Sequence, residues 1–481
     1  MRVISRGIPF EKRLILIAAI TSIAASARGQ GNCSPDSDKA LRRRLPALID
    51  SAGIPGIALA FIERGRVKWA GGFGDSGGAG HRIEPNTTVF EAASLSKPVI
   101  AYAALRLVDQ GKLDLDRSLL GYTPYPDFHG DPRGALITAR MVLAHTTGLQ
   151  NERIGSDSLR FSFSPGARFQ YSGEGYVFLG RAIEAVTRTT LPNAMKMLVF
   201  DPLGMKRSSF VWQRSFARDA AIGHGRFGEP RVPTRPIVAR APSSLQTTVA
   251  DYARFIVAVT HGTGLSAELS RAMRAPVVSV APKVGWGLGW GSEENPAGVM
   301  LAHHGDNSNS GFTAFALVDP QRRCGLVYFA NSANGLSIVT EVASAIPGAH
   351  PGVDLLPYER YAAPAALARR QLAQALRAKG VDSVIVLYRS MKAASADKPP
   401  ETLLNDLGYS LLNQRRIRES VAVFEENARQ FPQSANVYDS LGDAYLAARN
   451  REGARNAYHH AALLDPNNIR ARRLADSLGA H

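Results

Sequence analysis

A serine and a lysine three residues apart are the side chains best suited to chemistry in this sequence. Ser94 and Lys97 stand in the run Phe90-Glu-Ala-Ala-Ser94-Leu-Ser-Lys97-Pro. Residues at this spacing are neighbours on a helix face, so the amine of Lys97 reaches the hydroxyl of Ser94. Because a serine hydroxyl is a weak nucleophile at neutral pH, such a neighbour activates it. The same spacing also arises as a capping serine followed by a solvated lysine, so the surrounding motifs must decide.

Four further motifs follow in a fixed order, and together they identify a family. They are Ala144-His145-Thr-Thr-Gly148, Tyr171-Ser172-Gly173, Asp201-Pro-Leu-Gly-Met205 and His303-His304-Gly305. With Ser94 and Lys97 they resemble the penicillin-recognising serine hydrolases, which include class C β-lactamases, D-Ala-D-Ala carboxypeptidases and related esterases. The resemblance covers residues 38–350. It implies an α/β fold, with one antiparallel sheet of N- and C-terminal strands, flanking helices and an inserted helical subdomain.

Tyr171 stands where the family has the tyrosine of its Tyr-x-Asn motif, which relays the proton between serine and leaving group. A phenol has a pKa of about 10, so cationic Lys97 would have to lower that pKa for Tyr171 to act as a base near neutrality. The alternative is a buried core tyrosine, but the chemistry still lacks an acid–base group. The asparagine of the motif is replaced by Gly173, which removes an amide that would hold a substrate's acylamide.

His303-His304-Gly305 stands in the place of the family's Lys-Thr-Gly motif. The resemblance implies that His303 lines the cleft, and that Asp306, directly after Gly305, lends its backbone N–H to an oxyanion hole with that of Ser94. A histidine with the ordinary pKa of about 6.5 is mostly neutral at pH 7, so it binds a substrate carboxylate more weakly than lysine does. The following stretch, 307–310, is longer than usual, so His304 is the alternative cleft residue.

Neither a metal nor a cofactor is expected. Adjacent residues of a strand face opposite sides, and no other ligand motif accompanies His303 and His304. The string Gly74-Asp-Ser76-Gly-Gly surrounds the nucleophile in chymotrypsin-like proteases, but there a histidine precedes the serine, whereas the first histidine here is His81. Ser76 is therefore expected in a glycine-rich loop, and His145 in a structural turn.

The first 27 residues are typical of a secretory signal peptide. Four basic residues precede an apolar stretch from 14 to 24 and the small-residue site Ala25-Ser-Ala27. The apolar stretch is too short to span a bilayer, and no later segment is long and apolar enough. A periplasmic or secreted chain is therefore predicted. Its two cysteines, Cys33 and Cys324, either form one disulfide, since the implied sheet brings the Cys324 strand to the N-terminal strands, or stay unpaired.

The formal charge is +16, and removal of residues 1–27, which hold four basic residues and one acidic residue, leaves +13. Such a surface attracts anions. After residue 27, no basic run is interleaved with aromatic residues, so nucleic-acid binding is not favoured.

The C-terminal part repeats with a period of 34 residues. A Pro- and Ala-rich boundary and helices are predicted over 351–394, followed by a repeat domain over 395–481. The recurring positions are Leu407-Gly408 and Leu441-Gly442, Phe424 and Tyr458, Ala428 and Ala462, and Pro432 and Pro466. They resemble two tetratricopeptide repeats. This domain is either a surface for a protein partner or a structural appendage.

The sequence thus predicts an exported serine hydrolase that forms an acyl-enzyme on Ser94, with Lys97 and Tyr171 moving the proton. Gly173 and His303 favour esters or small amides as substrates. One alternative is β-lactamase or D-Ala-D-Ala carboxypeptidase activity. Another is a non-catalytic sensor of the penicillin-binding type with a partner-binding repeat domain.

Overall fold

The computed structural model describes residues 33, 37–77, 81–153, 159–295, 298–349, 357–394 and 399–479. The predicted signal peptide, residues 1–27, lies outside these ranges. Within them, no helix is both long enough and apolar enough to cross a membrane.

The part of the chain over which the resemblance extends, residues 38–350, is called the catalytic half below. Its N- and C-terminal strands share one sheet, as the resemblance implies. The strands are β1 (Gly56–Glu63), β2 (Arg66–Gly74), β3 (Phe90–Glu91), β4 (Gln246–Thr247), β5 (Val278–Ala281), β6 (Val284–Trp286), β7 (Gly291–Asn295), β8 (Gly298–Asn307), β9 (Phe312–Asp319) and β10 (Cys324–Ala330). Eight of them form a sheet in the order β2-β1-β10-β9-β8-β7-β6-β5, and β3 pairs with β4. Neighbouring strands are antiparallel.

Helices cover both faces of this sheet. Those of the catalytic half are α1 (Ser37–Ser51), α2 (Ser96–Asp109), α3 (Ala139–Leu143), α4 (Glu174–Thr187), α5 (Leu191–Met195), α6 (Asp201–Leu203), α7 (Val249–His261), α8 (Ala267–Arg274) and α9 (Val339–Ala343). Side chains alternate along a strand, so Ala58 and Ala60 of β1 join the core that contains α2 and α7. Leu59 and Phe61 join a second core with α1 and α9.

Helix α2 is buried on nearly all sides and forms the centre of the first core. From Val99 to Leu107 its only charged residue is Arg106, and the buried residues lie on all sides, which is typical of a helix inside a protein. The helix ends before Gly111, whose φ of +65° is a left-handed conformation that favours glycine. Because α2 is fixed by this packing, the residues at its N-terminus have a rigid support.

Cys33 and Cys324 form a disulfide, which decides between the two alternatives left by the sequence. Their Cα atoms are 6.2 Å apart, within the usual range for a disulfide, and both residues are buried. Cys324 is the first residue of β10. The bond therefore ties the segment before α1 to the sheet.

The described residues of the C-terminal region, 357–394 and 399–479, are mostly helical, as the sequence predicts. Its helices are α10 (Pro364–Lys379), α11 (Val381–Ala394), α12 (Glu401–Asn413), α13 (Ile417–Gln430), α14 (Ala435–Ala447), α15 (Arg451–Leu464) and α16 (Ile469–Gly479). Helices α12 and α13 begin at 401 and 417, and α14 and α15 begin at 435 and 451, so each helix recurs after 34 residues.

The repeated glycines allow the two helices of each pair to approach closely. A Cβ atom on Gly408 would lie 2.5 Å from the ring of Phe424, and one on Gly442 would lie 2.5 Å from the ring of Tyr458. Any larger residue would push the helices apart. The recurrence of glycine and aromatic residues therefore has a packing cause in both pairs.

The catalytic half inserts one side chain into this helical region. Phe227 is 7 % exposed and belongs to the same apolar cluster as Leu372 of α10 and Leu403 of α12. The adjacent Arg226 lies 3.5 Å from Glu359 and 3.8 Å from Asp406 of α12. The helical region is thus attached to the catalytic half by packing and by charge.

Candidate active site

Ser94 and Lys97 lie side by side at the start of α2. Ser94 is half-buried in a 3₁₀ turn, Ala93–Leu95, that leads into the helix. Ala93 has a φ of +48°, a strained conformation that turns the chain sharply before Ser94. Lys97 Nζ lies 3.0 Å from Ser94 Oγ and donates to the carbonyl oxygen of Pro242 at 3.1 Å. The predicted nucleophile and activator therefore lie within hydrogen-bond distance.

The environment of Lys97 makes it a base near neutral pH. Its side chain is 2 % exposed, and this burial lowers the pKa to about 7 because a desolvated ammonium is disfavoured. Two charged residues at the mouth of the site act in opposite directions, since Glu152 raises the pKa of Lys97 and Arg240 lowers it. A large fraction of Lys97 is consequently neutral at pH 7, and the neutral amine accepts a proton from Ser94.

Tyr171 lies just before α4, with its ring below the lysine. Lys97 Nζ is 4.7 Å from the centre of the Tyr171 ring. Burial raises the pKa of the phenol, the Ser94 hydroxyl acts against that shift, and Glu152 adds to it. The condition under which Tyr171 would act as a base near neutrality, a pKa lowered by Lys97, is therefore not met. A phenol that keeps its proton at neutral pH is a proton donor, and Lys97 is the better base.

His145 packs against the ring of Tyr171. It lies in the turn after α3 with a φ of +55°, and it is fully buried. Its Nδ1 accepts a hydrogen bond from the backbone N–H of Ser172 at 3.0 Å, and its ring lies 4.3 Å from that of Tyr171. Burial, followed by Lys97, lowers the pKa of His145, so the ring stays neutral. The expected role in a structural turn agrees with these contacts.

The two histidines of β8 face opposite sides of the sheet. His303 pairs with Ala316 of β9 on the face of the first core; it is 2 % exposed and its ring lies 6.1 Å from that of Tyr171. His304 packs against Tyr358 on the other face and lines the cavity around Ser94. The expectation that His303 lines the cleft is therefore corrected: it is buried behind Tyr171, and the alternative, His304, lines the cavity.

His303 nevertheless lacks a fixed positive charge, as expected. Burial lowers its pKa well below the ordinary value, and Lys97 lowers it further. Its Nδ1 lies 2.8 Å from the carbonyl oxygen of His304. A neutral imidazole at this position supplies no cation for a carboxylate.

Gly305 allows β8 to approach the nucleophile. A Cβ atom there would lie 2.5 Å from the carbonyl oxygen of Ala92 and 3.1 Å from the backbone nitrogen of Ser94. Asp306 follows with an exposed side chain, whose Oδ1 accepts from the backbone N–H of Ser308 at 2.8 Å. Only glycine therefore brings the backbone of residues 305 and 306 beside that of Ser94, where two N–H groups would form an oxyanion hole.

A cavity of about 200 Å³ opens onto these groups. Besides Ser94, Lys97 and Tyr171, its lining includes Asn151, Glu152, Gly173, Arg240, Pro242, Ser243, His304, Asp306 and Asn307. Arg240 and Glu152 bring opposite charges to one small space. Sequence motifs do not reveal either residue, because each reaches the site only through the folding of a long loop.

Asn151 fills the space beside Gly173. A Cβ atom on Gly173 would lie 2.5 Å from the carbonyl oxygen of Asn151 and 3.3 Å from its Oδ1. A side chain at 173 would therefore displace the backbone. The amide that the motif lacks at 173 is present on Asn151 in the cavity wall.

The protease-like serine plays no part in this site. Ser76 is 8 % exposed, and its Oγ donates to the carbonyl oxygen of His81 at 3.0 Å. It lies in the loop after β2, as the sequence predicts.

Comparison with known proteins assigns the family. A family model described as Beta-lactamase matches residues 41–346. The chain therefore belongs to the β-lactamase family of serine hydrolases.

The relatives of this chain include one named protein flp and one named as an esterase. Protein flp of Staphylococcus aureus (strain MRSA252) is 23 % identical over 301 residues, which cover 58 % of this chain and 60 % of that protein. Esterase EstB of Burkholderia gladioli is 27 % identical over 316 residues, or 59 % of this chain and 74 % of that protein. The chain thus spans about three fifths of the length of protein flp.

Solved structures share the fold. The octameric penicillin-binding protein homologue of Pyrococcus abyssi has a TM-score of 0.56 at 23 % identity, covering 70 % of this chain and 81 % of its own. D-alanine carboxypeptidase AmpC of Burkholderia cenocepacia has a TM-score of 0.56 at 19 % identity, covering 65 % and 99 %. At these identities the likeness is one of fold.

Proposed function

We propose that this protein hydrolyses esters or small amides through an acyl-enzyme on Ser94. The observation that carries the proposal is the 3.0 Å contact between Ser94 Oγ and Lys97 Nζ, together with the lowered pKa of that amine. A serine beside a neutral, buried base is an activated nucleophile. Its position at the wall of a cavity gives a substrate access to it.

In the acylation step, neutral Lys97 takes the proton of Ser94 as Oγ bonds to the substrate carbonyl carbon. The negative charge on the carbonyl oxygen is stabilised by the backbone N–H groups of Ser94 and Asp306. Tyr171 gives its proton to the departing alkoxide or amine and regains one from the ammonium of Lys97. Water then attacks the acyl-enzyme, with the same groups moving protons in reverse, and releases the acid and free Ser94.

Covalent labelling tests the nucleophile. A fluorophosphonate probe is expected to react with the intact protein and to increase the mass of the peptide that contains Ser94. Ser94→Ala should abolish this label, whereas Ser76→Ala should leave it unchanged. Label on Ser76, or label that survives in Ser94→Ala, would contradict the proposal. Lasting label without any ester turnover would favour the sensor alternative.

The site favours esters over acylamino-carboxylates. Neutral, buried His303 offers no cation for a carboxylate. This loss does not affect ester acylation, which needs the nucleophile, its base and the oxyanion hole. One relative, EstB of Burkholderia gladioli, is named as an esterase.

Short-chain p-nitrophenyl esters are therefore expected to have a higher kcat/KM than nitrocefin or D-alanyl-D-alanine peptides. Steady-state kinetics on one preparation measures the ratio. A preference for nitrocefin of roughly tenfold, or about 1.4 kcal/mol of transition-state binding, would contradict this account. Arg240, the cation in the cavity wall, would then be the first residue to test as the group that binds the substrate carboxylate.

We also propose that the protein is exported and that its C-terminal helices are tetratricopeptide repeats. The basic and apolar pattern of residues 1–27 and a disulfide that requires an oxidising compartment support export to the periplasm or beyond. The 34-residue recurrence of α12 to α15 supports the repeats. Such repeats commonly present a concave surface to a protein partner.

A further inference from the structure

A buried carboxylate that the proposed chemistry does not use lies three residues before the nucleophile. Glu91, on β3, is 5 % exposed. Its Oε2 accepts hydrogen bonds from Asn307 Nδ2 at 2.9 Å and from Ser310 Oγ at 2.7 Å. Its Oε1 accepts from Thr234 Oγ1. One carboxylate therefore joins three segments that are far apart in the sequence.

None of these described partners of Glu91 carries a positive charge. Burial of a carboxylate is costly unless hydrogen bonds compensate for the lost water. An ionised carboxylate only accepts hydrogen bonds, so the amide of Asn307 and the hydroxyls of Ser310 and Thr234 must all donate to it. The three donors stabilise the charge, and the charge in turn fixes the positions of the three donors.

The partners of Glu91 belong to the turn next to the expected oxyanion hole. Asn307 directly follows Asp306, and Ser310 closes the turn between β8 and β9 through its backbone N–H, which donates to the carbonyl oxygen of Asn307 at 2.9 Å. This is the stretch that is longer than usual in the sequence. Both Asn307 and Ser310 of this turn reach one carboxylate.

Glu91 also belongs to the chain segment that carries Ser94. The backbone N–H of the next residue, Ala92, donates to the carbonyl oxygen of Leu245, which fixes this segment in the core. On its other side, Gly305 lies against the carbonyl oxygen of Ala92. The segment that carries the nucleophile and the strand β8 with Asp306 are therefore held together at two points, by close packing at 305 and by Glu91 at 307 and 310.

We propose that Glu91 is a positioning residue that sets the distance between the backbone N–H of Ser94 and that of Asp306. This inference rests on the proposed function, because it concerns the oxyanion hole of that reaction. Oxyanion donors must lie within about 2.7–3.1 Å of the oxygen that becomes charged. A displacement of about 1 Å in such a site lowers the rate by roughly 10²-fold. Glu91 does not line the cavity around Ser94, so it would control this distance through the turn after Asp306.

The first test is Glu91→Gln. Glutamine keeps the shape of the side chain, but one of its two terminal groups is an NH₂ donor that cannot accept a hydrogen bond. At least one of the hydrogen bonds from the turn or from Thr234 is therefore lost. We expect kcat/KM for a p-nitrophenyl ester to fall roughly tenfold or more, with KM within about twofold of the wild type. Affinity for a boronic acid, which forms a tetrahedral adduct with Ser94, should fall in parallel, because that adduct needs the oxyanion hole.

Asp251→Asn is the matched control. Asp251 is also a buried carboxylate of the catalytic half, and it accepts from the backbone N–H of Arg207 at 2.7 Å and from Ser208 Oγ at 3.0 Å. It holds a different loop. The folded variant should therefore keep the wild-type ratio of boronic acid affinity to KM. Ser310→Ala removes only one contact of Glu91 and should give a smaller loss of the same kind, even if Glu91→Gln folds poorly.

The decisive test reverses the donor and the acceptor. In the double variant Glu91→Gln with Asn307→Asp, an amide at 91 donates to a carboxylate at 307, and the net charge is unchanged. We expect it to recover most of the activity that Glu91→Gln loses, whereas Asn307→Asp alone places two carboxylates together and should be impaired.

Three outcomes would overturn the inference. They are wild-type kcat/KM in Glu91→Gln, a loss of kcat/KM that follows thermal stability while boronic acid affinity stays unchanged, and a double variant no better than the single one. Fluorophosphonate labelling of the wild type separates this inference from the proposed function. A wild type that is not labelled at Ser94 refutes the proposed function itself. If the wild type is labelled and Glu91→Gln keeps the wild-type kcat/KM, only the role of Glu91 is refuted.

Discussion

Replacement of Lys97 by methionine is expected to lower kcat/KM for p-nitrophenyl esters by roughly 10³-fold, within the range for loss of a positioned base. The thioether has a similar length and suits a buried site, so the fold should be retained, but it does not accept the proton of Ser94. Steady-state kinetics and circular dichroism on the same samples measure both. Lys196→Met is the control, because Lys196 is an exposed lysine paired with Asp201 at 2.7 Å.

The pH dependence of the wild type identifies the base. The pKa of Lys97 is lowered to about 7, and the base must be neutral, so kcat/KM should rise as the pH increases through about 7. Arg240 lowers this pKa, so Arg240→Ala should move the rise to higher pH. Glu152 raises the pKa, so Glu152→Gln should move the rise to lower pH.

Opposite shifts from these two exposed residues would assign the rise to Lys97. Each shift should be a fraction of a pH unit, since both charges are partly screened by solvent. A flat profile between pH 6 and 8, or shifts in the same direction, would show that another group is the base.

The parts of the fold and site that depend on short spacings were predictable from the sequence. Ser94 and Lys97 are neighbours because a helix brings residues three apart together, and that holds wherever the helix lies. The hairpin of β1 and β2 follows from two apolar runs around the turn at Arg64-Gly65. The 34-residue recurrence of α12 to α15 follows from repeated glycine and aromatic residues.

The parts that depend on packing between distant segments were not predictable. Which of His303 and His304 lines the cavity depends on the register of β8 against β9, which one sequence leaves open. Asn151 reaches the place of the missing amide because its loop folds back on Gly173. Glu91 gains its partners from segments that lie more than 140 residues further along the chain.

The pKa of Tyr171 also could not be predicted from the sequence. A cationic Lys97 would lower this pKa, because a positive charge favours the phenolate. In the structure, burial is the largest influence and raises the pKa, and a large fraction of Lys97 is itself neutral at pH 7. Desolvation is a property of the assembled core, so a motif alone gives the identity of the group but not its protonation state.

Replacement of Tyr171 by phenylalanine is therefore expected to remove a proton donor rather than a base. The phenol is protonated at neutral pH and the centre of its ring lies 4.7 Å from Lys97 Nζ, and in the proposed mechanism it donates to the leaving group as the acyl-enzyme forms. For an alkyl ester, whose alkoxide needs a proton in order to leave, kcat/KM should fall by roughly 10²-fold or more. The phenylalanine ring keeps the contacts with His145 and Trp286.

The choice of substrate distinguishes a proton donor from a structural residue. A p-nitrophenolate leaves without protonation, so Tyr171→Phe should affect a p-nitrophenyl ester much less than an ethyl ester of the same acid. Tyr176→Phe is the matched control, because Tyr176 is also buried with a raised pKa, and its ring lies 5.8 Å from Lys97 Nζ. That variant should lower both rates equally or not at all. Equal losses for the two esters in Tyr171→Phe would assign Tyr171 to the packing of the site and leave proton donation to the ammonium of Lys97.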